Sequence, residues 1–307
     1  MHLRSLNDLT KKELTEIIDK STEIKAEPEK FEKEMKGKTL LMLFEKPSLR
    51  TRVSFETGMT RMGGHAIFYS IKDSPLGKKE SIEDTAKTAS RYVDIIMARL
   101  FRQEDMDSLA ENAEVPVINA LTDKYHPCQI VADLLTIKEK KGKLKGIKLA
   151  YLGDSNNNVT HSLLLGCSMV GMDITVGCPE GKEYEPQKDV IEKARKNAEE
   201  TGSKVEIVND AKKAVENADV VYTDSWMSYH IAEDQKEARI KIFMPFQVNE
   251  KLMSKAKNNA IFMNCLPAIR GMEQTAEVID GKQSVVFDEA ENRLHTQNAI
   301  MLHLMKK

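Results

Sequence analysis

The chain has 307 residues, with 46 basic and 48 acidic side chains and a net charge of −2. This length predicts two domains, and the near-neutral balance excludes a general nucleic-acid binder. No stretch approaches the ~18 apolar residues of a membrane-spanning helix, and the N-terminal segment MHLRSLNDLTKKEL is too charged for a signal peptide. Four scattered cysteines argue against a zinc or disulfide framework and favour a reducing compartment, so we expect a cytoplasmic protein.

Short apolar runs alternate with helical patterns in the first half of the chain. The predicted strands are residues 39–44, 65–70, 94–100 and 115–120, and the helices between them are residues 50–63, 81–93 and 104–113. A further helix covers about residues 127–140. Continuous apolar strands that alternate with helices are typical of a parallel sheet covered on both faces.

The second half repeats this scheme, which predicts a second α/β domain. Its predicted strands are residues 148–154, 173–178, 204–208, 219–224, 260–266 and 284–288, and a long helix closes the chain at residues 289–305. The basic, glycine-containing stretch 138–148 marks the predicted boundary, which gives domains 1–137 and 138–289. The pattern leaves open which domain the last helix packs on.

The first predicted strand is followed by EKPSLRTRVSFE, which suits a phosphate site. Ser48 is a predicted helix N-cap, and Arg50, Thr51 and Arg52 fall in the first turn. Backbone N–H groups, a hydroxyl and guanidinium groups at one helix N-terminus can bind a phosphate dianion. A capped helix with solvated arginines is the competing interpretation. The nucleotide-binding patterns GxxxxGK[ST] and GxGxxG are both absent.

Two further strand ends of the first domain carry polar side chains. Arg99 closes a buried strand and is a candidate anion ligand, although such a residue is more often at the surface. His126 precedes Pro127, which can start a helix, and Gln129 lies one turn further on. His126 and Gln129 are spaced to face one small polar group such as a carbonyl oxygen, while Cys128 between them is predicted to be a packing residue.

Strand ends of the second domain suggest an amine or amino-acid site. Asn156, Asn157 and Asn158 follow a strand and suit a carboxylate, although Asn is also a common cap and turn former. Asp224 ends another strand and is able to bind an ammonium group or take its proton. Cys265 lies at a third strand end, where we favour a polar contact over covalent catalysis.

Seven segments in order resemble the aspartate/ornithine carbamoyltransferase family, and most closely its ornithine members. They are FEKPSLRTRVSFE, HPCQIVADLLTI, YLGDSNNNVTHSLL, VVYTDSW, FQVNEKLM, NCLPAIRG and VIDGKQSVVFDEAENRLHTQNAI. The resemblance implies two Rossmann-like, doubly wound parallel-sheet domains joined by interdomain helices, with the C-terminal helix 290–307 packing back on the first domain. It implies a homotrimer, or a multiple of trimers, with sites between subunits. The implied reaction moves a carbamoyl group from carbamoyl phosphate to ornithine, giving citrulline and phosphate without metal or cofactor.

The resemblance also implies roles for individual residues. The implied carbamoyl-phosphate ligands are Ser48, Leu49 (through its backbone), Arg50, Thr51, Arg99, His126, Gln129 and Arg293. The implied acceptor ligands are Asn157, Asn158, Asp224, Ser228, Tyr229, Cys265 and Leu266. Arg99, His126 and Thr51 are the expected stabilisers of a tetrahedral oxyanion, and Cys265 with Asp224 are the expected partners of the amine proton. The loop from Ser70 to Ser81 resembles one that enters a neighbouring subunit's site.

Two departures from the ornithine pattern concern the acceptor. The chain has Ser228-Tyr229-His230 where ornithine members read S-M-G, and Asn264 where they read His. An altered acceptor such as putrescine, which lacks the α-carboxylate, is therefore an alternative to ornithine. Aspartate is less favoured, because the loop after Trp226 is mixed in charge rather than basic. A non-catalytic paralogue is disfavoured because the donor residues are all present.

Overall fold

The computed structural model describes residues 1–71, 80–227, 231 and 233–306, with the side chain of Glu233 outside the description. The chain forms two compact units. The first unit is Met1–Leu135 with Glu291–Lys307, and the second is Thr136–Ala290. Among the described residues, no helix is long and apolar enough to cross a membrane.

The first unit is built on a four-stranded parallel sheet with strand order β2-β1-β3-β4. The strands are β1 (Thr39–Phe44), β2 (His65–Ser70), β3 (Ile95–Arg99) and β4 (Val117–Leu121). The helices are α1 (Lys11–Ala26), α2 (Leu49–Arg61), α3 (Ile82–Ala89), α4 (Gln103–Asn112) and the start of α5 (Pro127–Lys141). The strand order reverses between β1 and β3, which is where ligands bind in open α/β sheets.

The burial of the strands agrees with the apolar character of their sequences. Every residue of β3 and of β4 is buried, as expected for strands that are covered on both faces. β2 differs, because its residues alternate between exposed and half-buried, and it is an edge strand of the sheet. The four predicted strands of this unit are confirmed: β1 and β2 have the predicted ends, and the ends of β3 and β4 differ by one or two residues.

The second unit carries a five-stranded parallel sheet with strand order β7-β6-β5-β8-β9. The strands are β5 (Lys148–Leu152), β6 (Asp173–Gly177), β7 (Val205–Val208), β8 (Val220–Thr223) and β9 (Ile261–Met263). The helices are α6 (Asn158–Val170), α7 (Lys188–Thr201), α8 (Ala211–Val215), α9 (Lys236–Phe243), α10 (Glu250–Met253) and α11 (Ala276–Ile279). Its strand order reverses between β5 and β8, so this sheet has an equivalent crevice position.

The predicted strand at residues 284–288 is wrong. Ser284 makes only an isolated bridge to Phe262, and the long helix α12 (Val286–Met305) begins two residues later. Val285, Val286 and Phe287 have the side chains of a strand, but Asp288 and Glu289 follow them in the first helical turn, where the helix dipole favours negative charge. The helices α5 and α12 each carry the chain from one unit to the other.

Candidate active site

The N-terminus of α2 lies at the carboxyl end of β1, at the crevice position of the first sheet. Ser48 is the N-cap, as predicted: its hydroxyl oxygen accepts from the Thr51 N–H at 3.3 Å, and its hydroxyl donates to Thr51 Oγ1 at 3.1 Å. Thr51 is buried, whereas the Leu49 side chain is 75% exposed, which leaves the Leu49 backbone as the part near the cap. The cap therefore places the Ser48 and Thr51 hydroxyls at the N-terminus of α2, where the helix dipole favours an anion.

Arg293, on α12, is buried and tightly held. Its Nη1 donates to Gln129 Oε1 at 2.5 Å and its Nη2 donates to Thr51 Oγ1 at 3.4 Å. With the Gln297 amide turned to satisfy both of its ends, the Gln297 oxygen accepts from Arg293 Nε at 3.1 Å and Nη2 at 2.9 Å. Gln129 in turn donates to Asp133 Oδ1 at 2.8 Å. These bonds fix the guanidinium plane against the start of α2.

His126 lies where the charges of three arginines act on it. It is buried immediately before α5, which begins at Pro127 as predicted. Burial lowers the pKa of His126 well below its ordinary value, and the charges of Arg293, Arg99 and Arg50 lower that pKa further. Three arginines from three separate β–α or helical segments therefore act on one imidazole. That imidazole is neutral near pH 7 and can hydrogen-bond an uncharged carbamoyl group.

Arg52 is not part of this cluster, although it shares the helix N-terminus. Its Nε donates to Glu56 Oε1 at 3.0 Å, and its guanidinium stacks 3.7 Å from the centre of the Phe68 ring. Arg52 is exposed. The expectation that it neutralises a bound phosphate is not supported, because its charge is already engaged at the surface.

Lys46 is a cationic residue that the sequence interpretation missed. It lies half-buried between β1 and the Ser48 cap. Burial lowers the pKa of Lys46 to about 8, and the nearby Arg99 charge contributes. Its position two residues before the cap was the available signal. Together with Arg50, Arg99 and Arg293 it forms the cationic cluster, as we call these four residues. Such a concentration of buried or half-buried cations is suited to a small dianion.

The start of α6 is organised by Asn157 in the second unit. Its Oδ1 accepts from the Thr160 N–H at 2.9 Å, and its Nδ2 donates to Tyr151 Oη at 3.0 Å and to the Asp154 carbonyl oxygen at 2.6 Å. Asn157 is thus the N-cap of α6, with both amide hydrogens in use. Asn158, the next residue, is the first of the helix and is nine-tenths buried.

Asp224 and Cys265 are brought together at the carboxyl ends of β8 and β9. Cys265 Sγ lies 3.2 Å from Asp224 Oδ1 and donates to it. Asn264 shapes the turn that carries Cys265: its Oδ1 accepts from the Leu266 N–H at 2.8 Å, where Leu266 has a left-handed φ of 55°. Asn264 therefore has a structural role in this turn. That role explains an Asn at position 264 without requiring a substrate amine other than ornithine.

A buried carboxylate that the sequence interpretation missed supports the same turn. Glu289 Oε1 accepts from Tyr222 Oη at 3.0 Å, and Glu289 Oε2 accepts from the Asn264 N–H at 3.1 Å. The hydroxyl lies on β8 and the N–H follows β9, so Glu289 joins the two strand ends. Ser228 and Tyr229, and residues 72–79 of the loop from Ser70 to Ser81, lie outside the described residues.

Comparisons with known proteins agree over the whole chain. Residues 1–139 match the family described as aspartate/ornithine carbamoyltransferase, carbamoyl-P binding domain, and residues 145–304 match its Asp/Orn binding domain. The ornithine carbamoyltransferase of Oceanobacillus iheyensis is 54% identical over 98% of this chain and 93% of that protein. That of Methanocaldococcus jannaschii is 49% identical over all of both chains.

Solved structures give the same result. The ornithine carbamoyltransferase of Pyrococcus furiosus superposes with a TM-score of 0.95 at 48% identity, covering 99% of this chain and 97% of that chain. The ornithine transcarbamoylase of Giardia lamblia gives a TM-score of 0.91 at 47% identity, with the same coverage of both chains. The two-domain parallel architecture predicted from the sequence is therefore confirmed.

Proposed function

Because this chain belongs to the aspartate/ornithine carbamoyltransferase family, we propose that it transfers the carbamoyl group of carbamoyl phosphate to the side-chain amine of L-ornithine, giving L-citrulline and phosphate. The observation that carries the proposal is the hydrogen-bonding of the buried Arg293 to Gln129 and Thr51 beside the Ser48 cap, where the charges of Arg293, Arg99 and Arg50 also lower the pKa of His126. A cluster of this kind suits a dianionic donor with an uncharged carbonyl end. We assign donor binding to residues 1–137 with helix 290–307, and acceptor binding to residues 138–289.

The donor half of the reaction rests on charge and hydrogen bonding. Ser48, Leu49 (through its backbone), Arg50 and Thr51 cradle the phosphate, while Arg99 and Arg293 add guanidinium groups. Each charge-assisted hydrogen bond contributes ~1.5–3 kcal/mol. His126 and Gln129 hold the carbamoyl end. When the amine attacks, Arg99 and His126 stabilise the oxyanion, and phosphate leaves. Most of the acceleration comes from positioning and from electrostatics prepared in advance.

The acceptor half must bind an amino acid and free its side-chain amine of a proton. An ammonium group with the ordinary pKa of ~10.4 has no lone pair for attack, so the site must favour the neutral amine. Asp224 and Ser228 bind the α-amino group, Asn158 binds the carboxylate beside the Asn157 cap, and Tyr229 lines the acceptor site. Cys265 and Leu266 flank the reacting amine, and the Cys265–Asp224 pair receives its proton.

We further propose self-association as a homotrimer or a multiple of trimers, acting in arginine metabolism in the cytoplasm. Edge strand β2 supports the first point, because Ile67 and Tyr69 are each 40% exposed on the same side of the strand. A sheet of this class normally has both faces covered, and further copies of this chain provide the cover. All four cysteines are free, which agrees with a reducing compartment.

Steady-state assays with several amines test the acceptor. We expect kcat/KM for ornithine to exceed that for putrescine by at least about 10³-fold, because a site built to bind polar groups rejects an analogue that lacks them by 10⁴–10⁵ in the best cases. Lysine keeps both polar groups and adds one methylene, so we expect it to be disfavoured by only about 10–200-fold. A better kcat/KM for putrescine would replace ornithine as the acceptor. Binding of carbamoyl phosphate without release of phosphate in the presence of any amine would make the chain a non-catalytic paralogue.

A further inference from the structure

Trp226 lies two residues beyond Asp224, and charged side chains hold its backbone on both sides. Its N–H donates to Glu273 Oε1 at 3.1 Å, and its carbonyl oxygen accepts from Arg239 Nε at 2.8 Å. Trp226, Glu273 and Arg239 are all at least nine-tenths buried. The backbone at Trp226 is thus fixed by a guanidinium 13 positions and by a carboxylate 47 positions further along the chain.

Arg239 is itself fixed by the end of β5. Its Nη2 makes a close ion pair with Asp154 Oδ2, and its guanidinium stacks 4.9 Å from the centre of the Phe243 ring. Asp154 is also buried, and burial raises the pKa of Asp154 to about 6 while the Arg239 charge opposes that rise. A buried carboxylate of this kind is stabilised by its cation, so the pair keeps Arg239 in one orientation.

The aromatic ring of Trp226 is also closely packed. It stacks on Phe243 with ring centres 5.8 Å apart, and Tyr184 meets the same Phe243 ring edge-on at 5.3 Å. Gly153 lies against it, since a Cβ at that position would be 2.8 Å from Trp226 Nε1. The loop after β8 therefore has no room to shift at residue 226 without moving the end of β5.

We propose that Asp154, Arg239 and Glu273, which we call the Trp226 clamp, are positioning residues that set the acceptor-binding geometry of Asp224. The clamp grips the chain between Asp224 and Ser228, the two residues assigned to the α-amino group, so this inference rests on the proposed function. Side chains that bind a substrate within a fraction of an ångström need such support. The clamp acts through the backbone and touches neither substrate.

Glu273 has an electrostatic effect as well as a hydrogen bond. The pKa of Glu273 is raised by its burial and by the charge of Asp224, so the two carboxylates lie within electrostatic range of each other. Positioning and charge predict different results for one substitution. Gln at position 273 keeps an oxygen that accepts from the Trp226 N–H but carries no charge, whereas Ala removes both.

The test compares Glu273→Ala with Glu273→Gln in full steady-state kinetics for both substrates. We expect Glu273→Ala to raise the KM for ornithine at least about 10-fold and to lower kcat, since a displacement of 1 Å can reduce the rate 10²-fold. The KM for carbamoyl phosphate should stay within about twofold, and Glu273→Gln should restore most of the loss. Equal losses in Glu273→Ala and Glu273→Gln would overturn the positioning role.

A second pair of variants tests the Arg239 side of the clamp. Because Arg239→Met alone leaves a buried carboxylate unpaired, it is combined with Asp154→Asn. The matched control combines Lys257→Met with Asp219→Asn, which likewise removes a cation and the charge of its buried carboxylate, at the opposite end of β8, where Lys257 Nζ bonds both carboxylate oxygens at 2.9 Å. We expect a raised ornithine KM in the Arg239→Met/Asp154→Asn variant only, with ordinary kinetics in the control.

The outcomes separate the clamp from the proposed function. Suppose that the wild-type chain turns over ornithine, and that Glu273→Ala and the Arg239→Met/Asp154→Asn variant have the wild-type kcat and ornithine KM within about twofold. The positioning role of the clamp is then overturned, while the proposed function stands. If the wild-type chain releases no phosphate with ornithine, the proposed function fails first. If the clamp variants and the Lys257→Met/Asp219→Asn control raise the KM of both substrates alike, the residues serve only general stability, and the positioning role is rejected.

Discussion

Lys46 makes binding of the donor dependent on pH. Its pKa is about 8 because the side chain is half-buried and lies near the Arg99 charge, so about half of the molecules carry the proton at pH 8. A bound phosphate dianion favours the charged lysine and raises this pKa again. Binding of carbamoyl phosphate should therefore take up about half a proton at pH 8 through Lys46, and affinity should fall as pH rises above 8.

Calorimetry in buffers of different ionisation enthalpy measures this proton. Lys46→Arg is the matched control, because an arginine keeps its charge in the same place and has no proton to gain. We expect proton uptake at pH 8 to be smaller by about half a proton in Lys46→Arg than in the wild-type chain. Equal uptake in the two proteins would assign the proton to another group, such as His126.

At the scale of elements, edge strand β2 has an apolar side that the chain itself leaves exposed. Ile67 and Tyr69 expose apolar surface on one side of the strand, which is unusual in a sheet of this class. Changing Ile67 to Glu should shift the assembly towards the mass of a single chain, 34.7 kDa, whereas the wild-type chain should show three times that mass or a multiple of it. Light scattering after gel filtration measures both. A wild-type mass of one chain would contradict the trimer.

Elements with local signals were predictable, whereas those fixed by distant partners were not. The strand β1 and the Ser48 cap follow from an apolar run and a hydroxyl residue placed before a helix, which are features of neighbouring residues. The segment 284–288 has the side chains of a strand, but the acidic residues that follow favour a helix start. Arg239 pairs with Asp154 over 85 positions, a contact that no sequence spacing indicates.

At the scale of the whole molecule, we propose that one dianion is bound by arginines from separate segments of the chain. The sequence predicted Arg50, Arg99 and Arg293 because each follows a strand end or matches a family segment. It also named Arg52, which the fold instead places in an ion pair with Glu56 at the surface. Arg50, Thr51 and Arg52 are consecutive in the sequence, so they point to different sides of α2. The sequence alone did not indicate which of these sides faces the site.

Titration calorimetry with carbamoyl phosphate measures how much each arginine contributes to binding of the dianion. The variants are Arg99→Gln and Arg293→Gln, with Arg52→Gln as the control at the same helix N-terminus. We predict that each of the first two weakens binding at least about 10-fold, as loss of a charge-assisted hydrogen bond of ~1.5–3 kcal/mol requires, while Arg52→Gln stays within about twofold. Unchanged affinity in Arg99→Gln and Arg293→Gln, or an equal loss in Arg52→Gln, would contradict the account.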